Sequence, residues 1–318
     1  MIALGLAGLV GAAVVVTLVG RNRSESVRIV AAGDMACDPD DPNFLAHSDA
    51  EGDHCRQDDV STIALRLEPD LVLGLGDYQY ELPTADAYRD VYAPSWGRLR
   101  AITVPVFGNQ EFKVRDAYPF TAYFGDRIRD ERGYWSQDVG AWHLIVLNSN
   151  CTIIAGGCAE GSPQQRWLAE DLAATDRQCV LASWHHPRWS NGIAGPDDRT
   201  ADLYATLAAH RVELLLSGHE ADYERFGPLD PTGQPDPTGV RQVVVGVGGQ
   251  AHYEPTEDDV PWRGSWGAPP SEFVDYAHHG LLALELAEGG WSWRFHALAA
   301  ESTERTGAVV DEGEERCF

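Results

Sequence analysis

Five short polar motifs, each closing an apolar run or following soon after one, constrain this chain more than any other feature. They are Gly33-Asp34, Gly76-Asp77-Tyr78-Gln79-Tyr80, Gly108-Asn109-Gln110-Glu111, Trp184-His185-His186-Pro187 and Gly218-His219-Glu220-Ala221. The apolar runs over 27–32, 70–75, 102–107, 142–147, 179–184 and 212–216 read as largely buried strands. Stretches over 58–67, 163–174 and 200–210 read as helices, and Ser162 before Pro163 is an N-cap followed by proline at the first helical position. Strand and helix alternate, which predicts an α/β fold with a mostly parallel sheet covered by helices. Later runs over 240–247, 281–286 and 291–298 predict a second sheet packed on the first. The last two are joined through Glu288-Gly289-Gly290 as a hairpin. The stretches 230–239 and 254–272 read as loops.

Ligands of open α/β sheets bind beyond the carboxyl ends of the strands. Asp34, Asp77, Asn109, His185 and His219 all fall at such ends. Taken singly, Gly-Asp and Gly-Asn are common turn pairs, and a lone histidine is more often structural than a ligand. Taken in order, five metal-competent side chains at five equivalent ends converge on one edge. Asp, Tyr, Asn and His are the donors that two adjacent divalent or trivalent metals need.

The series resembles the calcineurin-like metallophosphoesterases, and within them the purple-acid-phosphatase-like branch. That branch is marked by an early Asp, Gly-Asp-x-x-Tyr, Gly-Asn-His-Asp/Glu, a His before Pro, and Gly-His-x-His-x-Tyr-Glu-Arg. The last block reads Gly218-His219-Glu220-Ala221-Asp222-Tyr223-Glu224-Arg225 here. The likeness extends over about residues 27 to 298. It implies a four-layer α/β/β/α sandwich of two mixed sheets and hydrolysis of phosphate esters by a metal-bound hydroxide. It also implies one metal held by Asp77, Asn109, His185 and His219, with a second held by Asp34, the shared Asp77, Tyr80 and a further histidine. The expected cofactors are one or two Fe, Mn or Zn ions, and the expected partner is a phosphorylated small molecule or other phosphoester.

Two positions depart from the pattern. Ala221 stands where the second metal would find its histidine, and Glu220 and Asp222, which flank it, are the candidates to replace it. Gln110 stands where the family carries a histidine that steadies the phosphoryl group and helps protonate the leaving oxygen. Glutamine donates a hydrogen bond but carries no proton through the reaction, a loss worth ~10²–10⁴ in rate. A weakened phosphoesterase is therefore weighed against a catalytically inactive binding or scaffolding domain. His252 and the pair His278-His279 are spare imidazoles, read as surface or strand-start residues.

The 318 residues suffice for one large α/β domain. A net charge of −25 and a single lysine, Lys113, leave no basic stripe for a nucleic-acid backbone. The acidity also repels anionic substrates, so bound cations are needed to draw one in. Cys37 and Cys55 bracket an acidic loop, and Cys151 and Cys158 bracket a small one. Both pairs read as disulfides formed in an oxidising compartment. Cys179 and Cys317 are available for a third bridge. The charge-free stretch 2–20 is just long enough to span a bilayer core. The expected layout is an anchor or signal segment over 1–24, the metallophosphoesterase-like domain over 25–300 and a tail over 301–318. Arg21 and Arg23 argue by the positive-inside rule for a cytoplasmic domain. The paired cysteines argue against it, and the expectation is an extracytoplasmic, membrane-anchored or secreted protein. The sequence is silent on oligomeric state.

Overall fold

The computed structural model describes residues 26–40, 55–251, 267–298 and 307–318. The expected anchor over 1–24 and His252 lie outside them. Among the described residues no helix is long and apolar enough to cross a membrane.

Two mixed sheets pack face to face. The first has the order β13-β12-β11-β1-β2-β3 and the second β10-β8-β9-β7-β6-β5-β4. In the first, β1 (Val27–Ala32), β2 (Leu71–Gly74) and β3 (Thr103–Pro105) run parallel. The strands β11 (Gly280–Ala287), β12 (Gly290–Ala297) and β13 (Ala308–Arg316) extend it antiparallel. In the second, β5 (Trp142–Val146), β6 (Cys179–Ser183), β7 (Leu214–Ser217) and β9 (Val240–Val245) run parallel. Antiparallel neighbours are β4 (Trp135–Val139), β8 (Tyr223–Leu229) and β10 (Ser271–Asp275).

The layering follows from period-two alternation along each strand. Ile29, Ala31, Leu73 and Val104 face Leu144, Leu181, Leu214 and Val243 between the sheets. Their neighbours Val30 and Val72 face outward onto Val60, Ile63 and Ala64 of α1 (Gln57–Arg66) and an aromatic group around Tyr78 and Phe120. On the other outer face, Ile145, Val180 and Ala182 meet Leu168 and Leu172 of α4 (Pro163–Ala174) and Leu203 and Leu207 of α5 (Ala201–Ala209). The result is the α/β/β/α sandwich.

Four strands, β4, β8, β10 and β13, carry no clear apolar run. The start of β10 falls inside the stretch read as a loop, and β13 lies within the segment expected as a tail. The residue of β13 that points inward is Asp311, which defeats a hydrophobic pattern. Its carboxylate accepts hydrogen bonds from Tyr223 Oη at 2.7 Å, Arg225 Nε at 2.8 Å and Trp293 Nε1 at 3.0 Å. Three disulfides are present: Cys37–Cys55, Cys151–Cys158 and Cys179–Cys317. No free cysteine remains among the described residues. Such pairing belongs to an oxidising compartment.

His143 on β5 bridges Asp138 of β4 at 2.8 Å and Asp171 of α4 at 2.9 Å. Burial opposes its charge, but the two carboxylates prevail and raise its pKa. A raised folded-state pKa adds stability that is full below the unfolded value of about 6.5 and is lost as pH rises through the folded one. Urea unfolding of the wild type should therefore weaken from about pH 6.5 upward, and His143→Gln should flatten that slope. Parallel slopes in the two proteins would refute the assignment.

Candidate metal centre

The polar motifs sit where the strands stop. Asp34 follows β1, Asp77 follows β2, Asn109 follows β3, His185 follows β6 and His219 follows β7. Three of them hold left-handed backbone: Asp34 at φ 56°, Asp77 at φ 53° and His219 at φ 75°. Non-glycine residues occupy that region at a cost, and such residues gather at functional sites. The turns also demand close approach. A Cβ on Gly76 would stand 2.5 Å from His185 Nδ1 and 2.8 Å from Gly108 Cα.

The side chains meet in one group. His185 Nε2 lies 3.1 Å from Asn109 Oδ1, 3.3 Å from Asp77 Oδ2 and 3.3 Å from His219 Nδ1. Tyr80 Oη lies 2.5 Å from Asp34 Oδ1 and 2.8 Å from Asp77 Oδ2. Asp34 Oδ2 accepts the His219 backbone N–H at 2.7 Å. Burial, opposed by His185 and reinforced by Asp77, raises the Asp34 pKa to about 8. Against the effect of burial, the charge of His185 and its hydrogen bond hold Asp77 below the usual carboxylate range. His185 itself is pushed up to about 9, because Asp77 and Asp34 outweigh its burial.

These donors suit a cation. His185 gives its Nδ1–H to the Leu75 carbonyl at 2.7 Å, so neutral imidazole keeps a lone pair on Nε2. With no cation present, the raised pKa keeps a proton on Nε2 that the facing oxygens of Asn109 and Asp77 accept; a metal ion taking the place of that proton would meet the lone pair. Acceptors crowded together repel unless positive charge lies among them. Their spacings match the ~3 Å edges of a polyhedron around an ion held at about 2.0–2.2 Å. Asp77, Asn109, His185 and His219 thus fit one metal. The neighbouring position has three oxygen donors, from Asp34, Asp77 and Tyr80, and among the described residues no further imidazole.

Ala221 adds nothing there. It walls a cavity of about 230 Å³ beside His219, together with Ile193 and Ala194. Neither flanking carboxylate turns in. Glu220 faces the loop after Ser190, where its Oε2 accepts the Ala194 N–H at 3.2 Å. A side chain at Gly192 would collide with the carboxylates of both Glu220 and Asp222. Gln110 is buried in the centre and its backbone N–H donates to Asp77 Oδ1 at 2.8 Å. His278 pairs with Asp275 at 2.9 Å, and His279 is buried at the start of β11.

Sequence reasoning gave no role to two residues that shape the centre. Glu111, fully buried, accepts backbone N–H bonds from Asp77 at 3.0 Å, Tyr78 at 3.0 Å and Gly108 at 2.8 Å. It ties the β2 turn to the β3 turn. Ser149 accepts the backbone N–H groups of His185 and His186. Glu111 was visible as the last residue of its motif; Ser149 carries no motif at all. Glu111→Ala should destabilise the fold by ~3 kcal/mol or more, since each buried donor left unpaired costs about 1–3 kcal/mol. Chemical denaturation would measure it, and a loss under 1 kcal/mol (roughly one bond) would show that the clamp is dispensable.

The model of the calcineurin-like phosphoesterases matches residues 27–223. The chain belongs to the calcineurin-like phosphoesterase family. Among relatives within this family, it is 28% identical to purple acid phosphatase 21 of Arabidopsis thaliana over 240 residues, 67% of this chain and 52% of that one. It is 25% identical to the tartrate-resistant acid phosphatase type 5 of Sus scrofa over 224 residues, 61% of this chain and 64% of that one. The chain spans about half the length of the plant relatives it matches. In fold it is similar to the purple acid phosphatase PPD1 of yellow lupin, with a TM-score of 0.64, 19% identity, and coverage of 92% of this chain and 54% of that one. It is also similar to GAP50 of Plasmodium, described as the anchor in the inner membrane complex. There the TM-score is 0.60 and the identity 13%, with coverage of 92% and 89%. Calcineurin-like phosphoesterases of the purple acid phosphatase kind bind two metals, and that family supports phosphoester hydrolysis.

Proposed function

We propose that this chain is a metal-dependent phosphoesterase whose dinuclear centre is lopsided, with one complete metal position and one that lacks its imidazole. The observation that carries the reading is the convergence of Asn109 Oδ1, Asp77 Oδ2 and His219 Nδ1 on His185 Nε2 at 3.1–3.3 Å. Ions of Fe, Mn or Zn suit these donors. When bound, they draw in the anionic ester and lower the pKa of the attacking water. Asp77 faces both positions, and the Leu75 carbonyl keeps His185 in its ligating tautomer. Gln110 offers amide hydrogens to the phosphoryl oxygens but no proton acidic enough to pass to the leaving group. Esters with good leaving groups, such as aryl phosphates, are therefore the favoured substrates.

A second reading is a binding or anchoring domain that kept the fold without the reaction. Ala221 and Gln110 favour it, and so does the likeness to GAP50, itself described as an anchor. The location proposed is extracytoplasmic, with the hydrophobic 2–20 stretch as anchor or signal.

Chelation and reloading separate these readings. The full chain, stripped of metal and titrated back, should take up one ion tightly and a second weakly. Hydrolysis of an aryl phosphate should rise with loading. Hydrolysis that survives chelation, or a chain that holds no metal, would overturn the phosphoesterase proposal. Tight metal binding with no ester hydrolysed would put the binding domain first.

A further inference from the structure

His186 stands beside the metal ligands with the opposite chemical face. Ser149 Oγ accepts the backbone N–H of His185 at 3.2 Å and of His186 at 2.9 Å. Both lone pairs of that hydroxyl are then used. Its own proton goes to the remaining neighbour, Nδ1 of His186, at 2.8 Å. An imidazole that accepts at Nδ1 carries its hydrogen on Nε2. His185 is the mirror case, donating at Nδ1 and leaving Nε2 for the cation. Of two adjacent histidines, one offers a lone pair to a cation and the other an N–H to an anion.

The surroundings agree. The His186 ring centroid lies 4.5 Å from that of His219 and 4.9 Å from that of His185. Ring nitrogens of all three come within 4.8 Å of one another. Burial pushes the His186 pKa down. Arg199 is brought up by the turn that follows Pro187, where the Asp197 N–H donates to the Pro187 carbonyl at 3.0 Å. Asp197 takes the Arg199 Nε at 2.8 Å and Nη2 at 2.6 Å. Nη1 is left over on a half-exposed guanidinium whose orientation is fixed. Its charge is felt at His186 and, opposed by that of its partner Asp197, at His219. On a chain of net charge −25, a fixed cation beside the centre has a use, because the protein otherwise repels phosphate.

We propose that His186 and Arg199 form an oxyanion-binding wall of the centre, where His186 Nε2–H and Arg199 Nη1 receive phosphoryl oxygens of a phosphate monoester. This names the substrate-binding side of the phosphoesterase and rests on that reading, but its test does not need turnover. Hydrogen bonds to a charged group are the strong kind, and the fixed guanidinium adds a second.

The test is titration of metal-loaded full chain with inorganic phosphate, followed by calorimetry. Metal content is measured in the same samples. His186→Ala should weaken phosphate binding ~10-fold or more, the loss of one charge-assisted hydrogen bond. Arg199→Ala, a change on the surface, should weaken it ~5-fold or more on the same basis. Metal content should not change in either variant. Phosphate affinity that is unchanged in both variants overturns the proposal. A fall in metal content with His186→Ala also overturns it, because His186 would then be a ligand. Nitrogen NMR of the wild type gives an answer free of any folding defect: His186 protonated at Nε2 supports the wall, and protonated at Nδ1 overturns it. If the variants lose phosphate while the wild type hydrolyses no ester, the wall stands and the phosphoesterase reading falls.

Discussion

Asp77→Asn should bring hydrolysis of an aryl phosphate down to background and remove the tightly held metal. Asp77 reaches both sides of the centre. Its Oδ2 is 2.8 Å from Tyr80 Oη and 3.3 Å from His185 Nε2, and its Oδ1 accepts the Gln110 N–H. Asparagine is the same size but lacks the charge, and one of its two terminal atoms is a donor pointed at donors or cations. The fold should survive, because Asp77's backbone N–H still reaches Glu111. Elemental analysis and a far-ultraviolet spectrum of the variant check both halves. Full metal content together with residual activity above a tenth of wild type (roughly one pK unit's worth of free energy) would remove Asp77 from the centre.

The opposite experiment adds what the chain lacks. Ala221→His should raise metal affinity at the oxygen-only position, and the open cavity beside His219 leaves room for the ring. Gln110→His should then act on the chemical step by supplying a proton carrier next to the leaving group. Metal titration reads the first change, while the ratio of turnover to KM at saturating metal reads the second. Together they should raise hydrolysis of an aryl phosphate by at least ~10², the lower end of a general-acid contribution. A double variant that binds two metals and still hydrolyses no ester would mean that the cleft serves another purpose. The anchoring or binding reading would then lead.

Much of the centre was legible because its residues lie at strand ends, and strand ends are marked by apolar runs. β1 and α4 fall at the residues where their patterns place them. Motif order places Asp34, Asp77, Asn109, His185 and His219 at one edge, and the family resemblance adds Tyr80. What escaped was held by polar contacts. β13 turns an aspartate into the core, so its pattern reads as an acidic tail. Glu111 and Ser149 work by receiving backbone N–H groups, and no periodicity announces which backbone a side chain will meet. The pairing of Cys179 with Cys317, whose partners are 138 residues apart, could be offered only as the bridge left over. The local brackets 37–55 and 151–158 could be read from spacing, whereas a long-range bridge needs the fold first.

That long-range bridge fixes an order of events. Cys179 begins β6, the strand that delivers His185 at its other end, and Cys317 follows the last strand of the opposite sheet. The bond therefore clasps one sheet to the other, and the loop it closes contains both His185 and His219. Closing a loop of that size removes ~5 kcal/mol of freedom from the unfolded chain. Cys317 is synthesised after every ligand of the centre, so the clasp cannot shut until all of them exist. Oxidation then acts as a final inspection: a chain whose sheets have not met leaves two thiols unjoined.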